Sequence, residues 1–310
     1  MALLSVRLVS SALLLAALAS CEYERPAPRA EIQAHAEGLV GNDNALTVTA
    51  LNTVVNQYAI LSASAAAGAT SITVSNIADL TSTTLGALAP GDLLMIVQMQ
   101  GATISDTNGA SFGTVTTLGN AGQYELVGVA SIAGNVITLD NACGGLARSY
   151  ASGGRTQVVR VPEFTSVTID PGASIVASQW TGTRGGVVAM HVRDATTING
   201  LIDASGAGFR GGATDNDSQD ANNNVTNWRE NVSNVGGEKG EGIAGFGPEY
   251  DADFNGRYGR GAPANGGGGG NSHNAGGGGG ANGDNGNTWT GNGVMDGTVI
   301  GAAAWTLDPG

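Results

Sequence analysis

The spacing that comes nearest to a piece of chemistry is Asp251-Ala252-Asp253-Phe254-Asn255-Gly256, with carboxylate or amide oxygens at alternate positions and a glycine to sharpen the turn. Hard cations are held by oxygen sets of this kind, so Asp251, Asp253 and Asn255 are candidate calcium ligands. The match is partial, because a complete loop needs an acidic residue at its twelfth position and Ala262 stands there. A solvated turn rich in Asp and Asn is the competing reading. Asp215, Asp217 and Asp220 form a second acidic loop. Apart from calcium, no cofactor is suggested.

Four aromatic residues, Trp228, Tyr250, Tyr258 and Trp289, punctuate the glycine-dense second half and are candidate stacking platforms for sugar faces. Packing over glycine backbone is their alternative role. Two G-x-G-x-x-G matches, Gly206 to Gly211 and Gly240 to Gly245, lack the strand before and the helix after that a dinucleotide site needs, and no Gly-Lys-Ser/Thr occurs. Nucleotide binding is therefore not expected. His35, His191 and His273 are scattered, and Asp170, Asp194 and Asp203 read as turn residues more readily than as the facing carboxylates of a glycosidase. No catalytic residue is assigned, and the chain is read as non-enzymatic.

Cys21 closes Leu18-Ala19-Ser20-Cys21 after an apolar stretch, Leu8 to Leu18, too short to span a bilayer. This is the pattern of a bacterial lipobox, so residues 1–20 are expected to be a signal peptide and Cys21 the lipidated residue, with the protein anchored to the outer membrane or cell surface of a Gram-negative bacterium. Ordinary cleavage after Ala19, with Cys21 unmodified, is the alternative, and a Cys21–Cys143 disulfide is a rival to lipidation. The net charge is −13 and Lys239 is the only lysine, so there is no basic stripe of the kind that neutralises nucleic-acid phosphates, and nucleic acid is not an expected partner.

The elements that must position these residues read as all-β. Residues 21–45, with Pro26 and Pro28, read as a flexible tether, and 46–150 as a small β-barrel or sandwich. Within it, Thr70 to Val74 is the first clear strand pattern. Pro90-Gly91-Asp92 marks a turn before the apolar run Leu93 to Met99, and Tyr124 to Ile132 with Asn135 to Leu139 forms a hairpin across Ala133-Gly134. In residues 151–212, Thr165 to Ser178 and Asp194 to Ala207 repeat a Thr-Ile, Gly turn, Ile-x-Ala-Ser pattern. Recurrence at a rung-sized spacing suggests parallel β-solenoid rungs, against which a plain antiparallel sheet competes. No helical period appears after the signal peptide.

Residues 213–310 form a glycine-rich extended region; 31 of the 51 glycines lie from Gly200 onward. Runs of five glycines begin at Gly266 and Gly276 around Asn271-Ser272-His273-Asn274-Ala275. That register favours stacked extended strands or polyglycine helices over a slack linker, because chains without side chains can bond backbone to backbone.

Through RTQVVRVPEFTSVTI and again through GEGIAGFGPEYDADFNGRYGRGAPANGGGGGNSHNAGGGGG, the chain resembles the amino-terminal part of glycine-rich, adhesin-like or gliding-motility-associated surface proteins of gliding and marine Gram-negative bacteria. The resemblance implies adhesion or glycan contact at the cell surface. It also implies a longer protein, since this chain ends just after the apolar run Val299 to Leu307. A structural subunit of an envelope or extracellular assembly is the second expectation, and a degenerate polysaccharide-active enzyme the third.

Overall fold

A computed structural model describes residues 43–140, 144–215, 227–231, 236–270 and 277–279, and strands dominate it. The chain opens with β1 (Leu46–Val48) and then leaves this strand for more than a hundred residues to build an antiparallel sheet. The departing segment supplies β2 (Gln57–Ile60), β3 (Ser71–Thr73), β4 (Leu93–Gln98), a small ribbon of β5 (Thr103–Ile104) with β6 (Val115–Thr117), then β7 (Tyr124–Ala133), β8 (Val136–Asp140) and β9 (Thr156–Val161).

The main sheet has the order β2-β9-β4-β7-β8-β3. Its turns form where the residue types demand. Asp92 donates its N–H to the Ala89 carbonyl at 3.2 Å across Pro90 and Gly91, whose φ of 95° suits glycine, and Gly134 at φ 59° makes the β7–β8 hairpin with Asn135. The sheet curls until its edges meet: Leu61 bridges Val74, Ser62 donates to the Thr73 carbonyl and Ser75 to the Ile60 carbonyl, each at 2.9 Å. Ala59, Leu61, Ile72, Leu94, Ile96, Val127, Ile137 and Val158 fill the space inside.

The chain then returns through β10 (Glu163–Phe164), β11 (Val167–Ile169), β12 (Ser174–Val176), β13 (His191–Val192), β14 (Thr196–Ile198) and β15 (Leu201–Asp203). These strands pair in parallel. The order β1-β11-β14 sets Val48 beside Ile169 and Ile169 beside Ile198, while β12 pairs with β15, β10 with β13, and Thr53 bridges Ile175. Three tiers result, and the antiparallel sheet is an excursion between the first and the second. The division expected at 150/151 therefore cuts through the sheet, since β9 lies between β2 and β4, and β1, expected in the first domain, is the first tier of the ladder. The same-direction pairing of 165–178 with 194–207 matches the repeat seen in the sequence.

At one edge of the ladder Glu163 is buried. Its N–H donates to Asp43 Oδ2 at 2.7 Å and its Oε1 lies 3.5 Å from His191 Nδ1. Burial, reinforced by the Asp43 and Asp92 carboxylates, pushes the Glu163 carboxyl up to about 7.

The glycine-rich region lies in strips that bond to one another. Gly240 donates to Gly267, Gly278 to Gly268 and Gly270 to Gly237, each at 2.8 Å, and Gly269 donates to Gly259 at 3.0 Å. The two glycine runs thus touch directly. The approach is too close for side chains: a Cβ at Gly267 would stand 2.2 Å from the Gly278 carbonyl carbon, and one at Gly212 would stand 1.9 Å from the Glu238 oxygen. The insert Asn271 to Ala275 lies outside the described residues.

Two outcomes follow. Gly267→Ala should lower stability by about 1–3 kcal/mol through overpacking, whereas Gly279→Ala, where an added Cβ meets nothing within 4 Å, should be neutral or slightly stabilising. Equal melting temperatures for the two variants would contradict backbone-to-backbone packing. For Glu163, the raised carboxyl means the folded chain holds a proton that the unfolded chain has released, so stability should fall as pH rises from about 4.5 through about 7. The span corresponds to a ceiling of about 3 kcal/mol. Urea midpoints at the two ends of that range should differ in the native chain and converge in Glu163→Gln; an unchanged slope in the variant would refute the assignment.

Candidate functional site

A groove of about 370 Å³ opens where the loop after β4 meets the glycine-rich region and helix α1 (Pro248–Phe254). One wall, Gln100 to Thr103, is fixed from behind by Gln98, whose side-chain amide donates to the Gln100 and Gly119 carbonyls at 2.8 and 3.0 Å and whose oxygen accepts the Ala151 N–H at 2.8 Å. Gly101 and Ala102 donate to the Ile243 carbonyl at 3.0 and 3.1 Å, which locks this wall to the glycine-rich region.

Glu241 is the fixed point beneath. Fully buried, its carboxylate accepts Arg210 Nε at 2.8 Å, the Arg210 N–H at 3.1 Å and Gln100 Nε2 at 3.0 Å, so its charge is both paired and hydrogen-bonded. The Arg210 guanidinium stacks 4.1 Å from the Phe246 ring centre.

The opposite wall is α1, which contributes Glu249, Asp253 and Phe254. Glu249 is committed: it accepts the Phe246 N–H at 2.9 Å and forms an ion pair with Arg155. Asp253, one helical turn on, is exposed and has no hydrogen-bond partner among the described residues. The lining holds no His, Ser, Cys or Lys. Two carboxylates one turn apart on a single helix face do not face each other across a bond to be cleaved, and one of them is neutralised. Chemically, the groove can accept hydroxyl protons at Asp253 beside fixed backbone.

The three expected calcium ligands part company. Asp251 accepts the Arg257 N–H at 3.0 Å and Arg257 Nε at 2.7 Å, Asn255 donates from Nδ2 to Asp106 Oδ2 at 2.8 Å, and Asp253 lines the groove. The reason is the helix. A loop can converge alternate residues, but positions two apart on a helix lie on nearly opposite faces, and Asn255 is the left-handed cap at φ 59°. Among the described residues no group of three or more His, Cys, Asp or Glu is arranged to hold a metal ion. The helix also corrects the expectation that none follows the signal peptide, and it lies just after the second G-x-G-x-x-G. It has seven residues, and Glu249 of the chain itself takes the Phe246 N–H at its start.

Of the aromatic candidates, Tyr250 is not a ligand contact. It is fully buried among Phe112, Phe254 and Ala264, its hydroxyl donating to the Gly240 carbonyl at 3.0 Å, and burial, then the Glu241 and Glu249 charges, push its pKa well up. Apolar packing against glycine backbone outweighs any exposure that the sequence context implied. Trp228 and Tyr258 are half-buried. Arg260 lies 4.2 Å over the Trp228 ring, and Tyr258 pairs backbone to backbone with Glu230 while burial raises its hydroxyl pKa. Cys21, Cys143 and Trp289 lie outside the described residues.

Lys239 and Glu241, missed as functional positions in the sequence, organise the region. The buried Lys239 Nζ donates to the carbonyls of Trp228, Gly259 and Gly261 at 2.8, 2.7 and 2.5 Å and sits 4.6 Å from the centre of the Phe112 ring. Burial pushes its pKa well down from the ordinary lysine value. The available signal was its singularity: a sole lysine and a glutamate two residues on, set among glycines.

A comparison with protein families finds none that matches, and a comparison with curated proteins finds none either. Solved structures similar to the chain include the tailspike of Pseudomonas phage phi297, at 15% identity over 53% of this chain and 24% of that one with a TM-score of 0.24. Another is the tailspike of the Acinetobacter baumannii bacteriophage AP22, solved in complex with an A. baumannii capsular saccharide, at 12% identity over 50% of this chain and 24% of that one with a TM-score of 0.24. A third is the tailspike of Pseudomonas phage LKA1, at 13% identity over 44% and 25% with a TM-score of 0.22. The chain spans about a quarter of the length of each.

Proposed function

We propose that this chain is an exported surface protein, held by lipid at Cys21 on the outer membrane or cell surface of a Gram-negative bacterium, that contacts glycans or neighbouring surfaces without acting on them chemically. On this reading the ladder is a short parallel β-solenoid, the curled sheet is a small β-barrel inserted after its first tier, and the glycine-rich layer with α1 is the contact element.

The observation that carries the reading is the chemistry of the groove. A free carboxylate at Asp253 stands beside a backbone wall held rigid by Gln98 and Glu241, with no histidine, serine, cysteine or lysine in the lining. Carboxylates accept sugar hydroxyls through charge-assisted hydrogen bonds, and a preorganised wall reduces the ordering cost of binding.

Retention of the full chain on immobilised neutral and acidic polysaccharides tests this. Asp253→Ala should weaken retention about tenfold, as expected for a lost hydrogen bond to a charged group, with an unchanged melting temperature. Undiminished retention by the variant would remove the groove from the account, and release of new reducing ends from any polysaccharide would replace a contact protein with an enzyme.

A further inference from the structure

We infer that the groove beside α1 selects glycans that carry free amino groups, with the Asp253 carboxylate receiving a sugar ammonium; the inference rests on the contact reading and names the class of glycan that the groove takes.

The groove has spent its hydrogen-bond donors on its own walls. The Gln100 N–H donates to the Gly154 carbonyl at 2.8 Å, those of Gly101 and Ala102 to the Ile243 carbonyl, that of Gly245 to Gly242 at 3.1 Å and that of Glu249 to Phe246 at 3.2 Å. The Gln100 side-chain amide serves Glu241, and the Thr103 hydroxyl shares a hydrogen bond with Thr116 at 2.8 Å. Positive charge is spent as well. No Arg, Lys or His lines the groove, and Arg155, two residues beyond Gly153 of the lining, is paired with Glu249.

What the lining leaves unspent is an acceptor. Asp253 is exposed on α1 and has no hydrogen-bond partner among the described residues. The carboxylate or sulfate of an acidic glycan needs N–H donors or a cation, and here those are committed. A neutral sugar hydroxyl gives a carboxylate one hydrogen bond. An ammonium brings three donors and a full positive charge, so it answers this groove better than either.

The rest of the lining suits a sugar ring. Ala102, Ala244 and Phe254 form its apolar part, on which the C–H face of a ring can lie beside the carboxylate. At about 370 Å³ the groove is near the lower end of the range for small-ligand sites, which fits sugar units and not a folded partner.

The test is isothermal titration calorimetry on the full chain in mildly acidic buffer, where sugar amines are protonated. It compares a β-1,4-linked glucosamine hexamer with its fully N-acetylated counterpart, which keeps the ring shape and hydroxyls but lacks the charge. The amine form should bind about tenfold more tightly, the gain expected from one hydrogen-bonded charge. Asp253→Asn should abolish that advantage at an unchanged melting temperature. Asp140→Asn removes the same charge from β8, where Asp140 lies across Gly128 from Leu93, at the end of β4 away from the groove, and should keep the advantage. Asp253-dependent binding that is equal for the two hexamers would overturn the inference and leave the contact reading standing. An equal loss in both variants would overturn it as attraction to net charge alone. Asp253-dependent binding of hexalysine as tight as that of the amine form would overturn it in favour of a protein ammonium. Binding of neither hexamer would also overturn it, and the contact reading falls with it only if no other polysaccharide is retained.

Discussion

The Lys239 ammonium joins three segments that have almost no side chains with which to hold one another. Its bonds to the carbonyls of Trp228, Gly259 and Gly261 gather strips otherwise linked through backbone, and the Phe112 ring ties the assembly to the inserted excursion. A buried charge is costly when unpartnered, so the same group that organises the layer would oppose folding if any strip were displaced. Glycine makes the arrangement feasible, because contacts such as that between Gly267 and Gly278 leave no room for a Cβ. The entropic cost of ordering so much glycine is offset by satisfied backbone groups and by the cluster of Phe112, Tyr250 and Phe254 beneath.

The ladder and the sheet depend on each other in a different way. Between β1 and its partner β11 the chain makes a whole antiparallel sheet, so the first tier is paired by residues that lie on either side of that excursion in sequence. Polar side chains stitch the two parts together. Gln157 exchanges hydrogen bonds with Gly185 at 3.0 and 2.8 Å, and Asn56 exchanges them with Ala189 at 2.6 and 2.9 Å, amide side chains standing in for a strand edge. Arg160, buried in β9, pairs with Asp92 at 2.9 Å and donates to the Gly86 carbonyl at 2.8 Å. Charge is buried where it spans elements and has partners at both ends.

Much of this was legible where local chemistry decides. The Pro90-Gly91 turn, the Gly134-Asn135 hairpin and the repeat of Thr-Ile strands correspond to elements in the structure, because turn conformation and tier repetition are written in adjacent residues. The topology was hidden: nothing in Leu46-Thr47-Val48 reveals a partner at Val167, since parallel pairing over such a distance leaves no local trace. The helix was legible and was overridden. Pro248 at its first position, acidic residues in its first turn and Asn255-Gly256 at its end are start and stop signals, yet alternate oxygens suggested a calcium loop. Tyr250 takes the second of its two expected roles, packing over glycine backbone, because strips packed backbone to backbone make an interior. Lys239 was noticed only for what its isolation excluded.

Hydrogen exchange read by mass spectrometry, comparing the native chain with Lys239→Met, addresses most directly the claim that the glycine-rich region is a built layer held by one buried cation. The account predicts slow exchange at Gly240, Gly259, Gly270 and Gly278 in the native chain, and loss of that protection in the variant, with β4, β7 and β9 still protected. Glycine amides that exchange at the rate of an unstructured chain in the native protein, or unchanged protection in the variant, would contradict it.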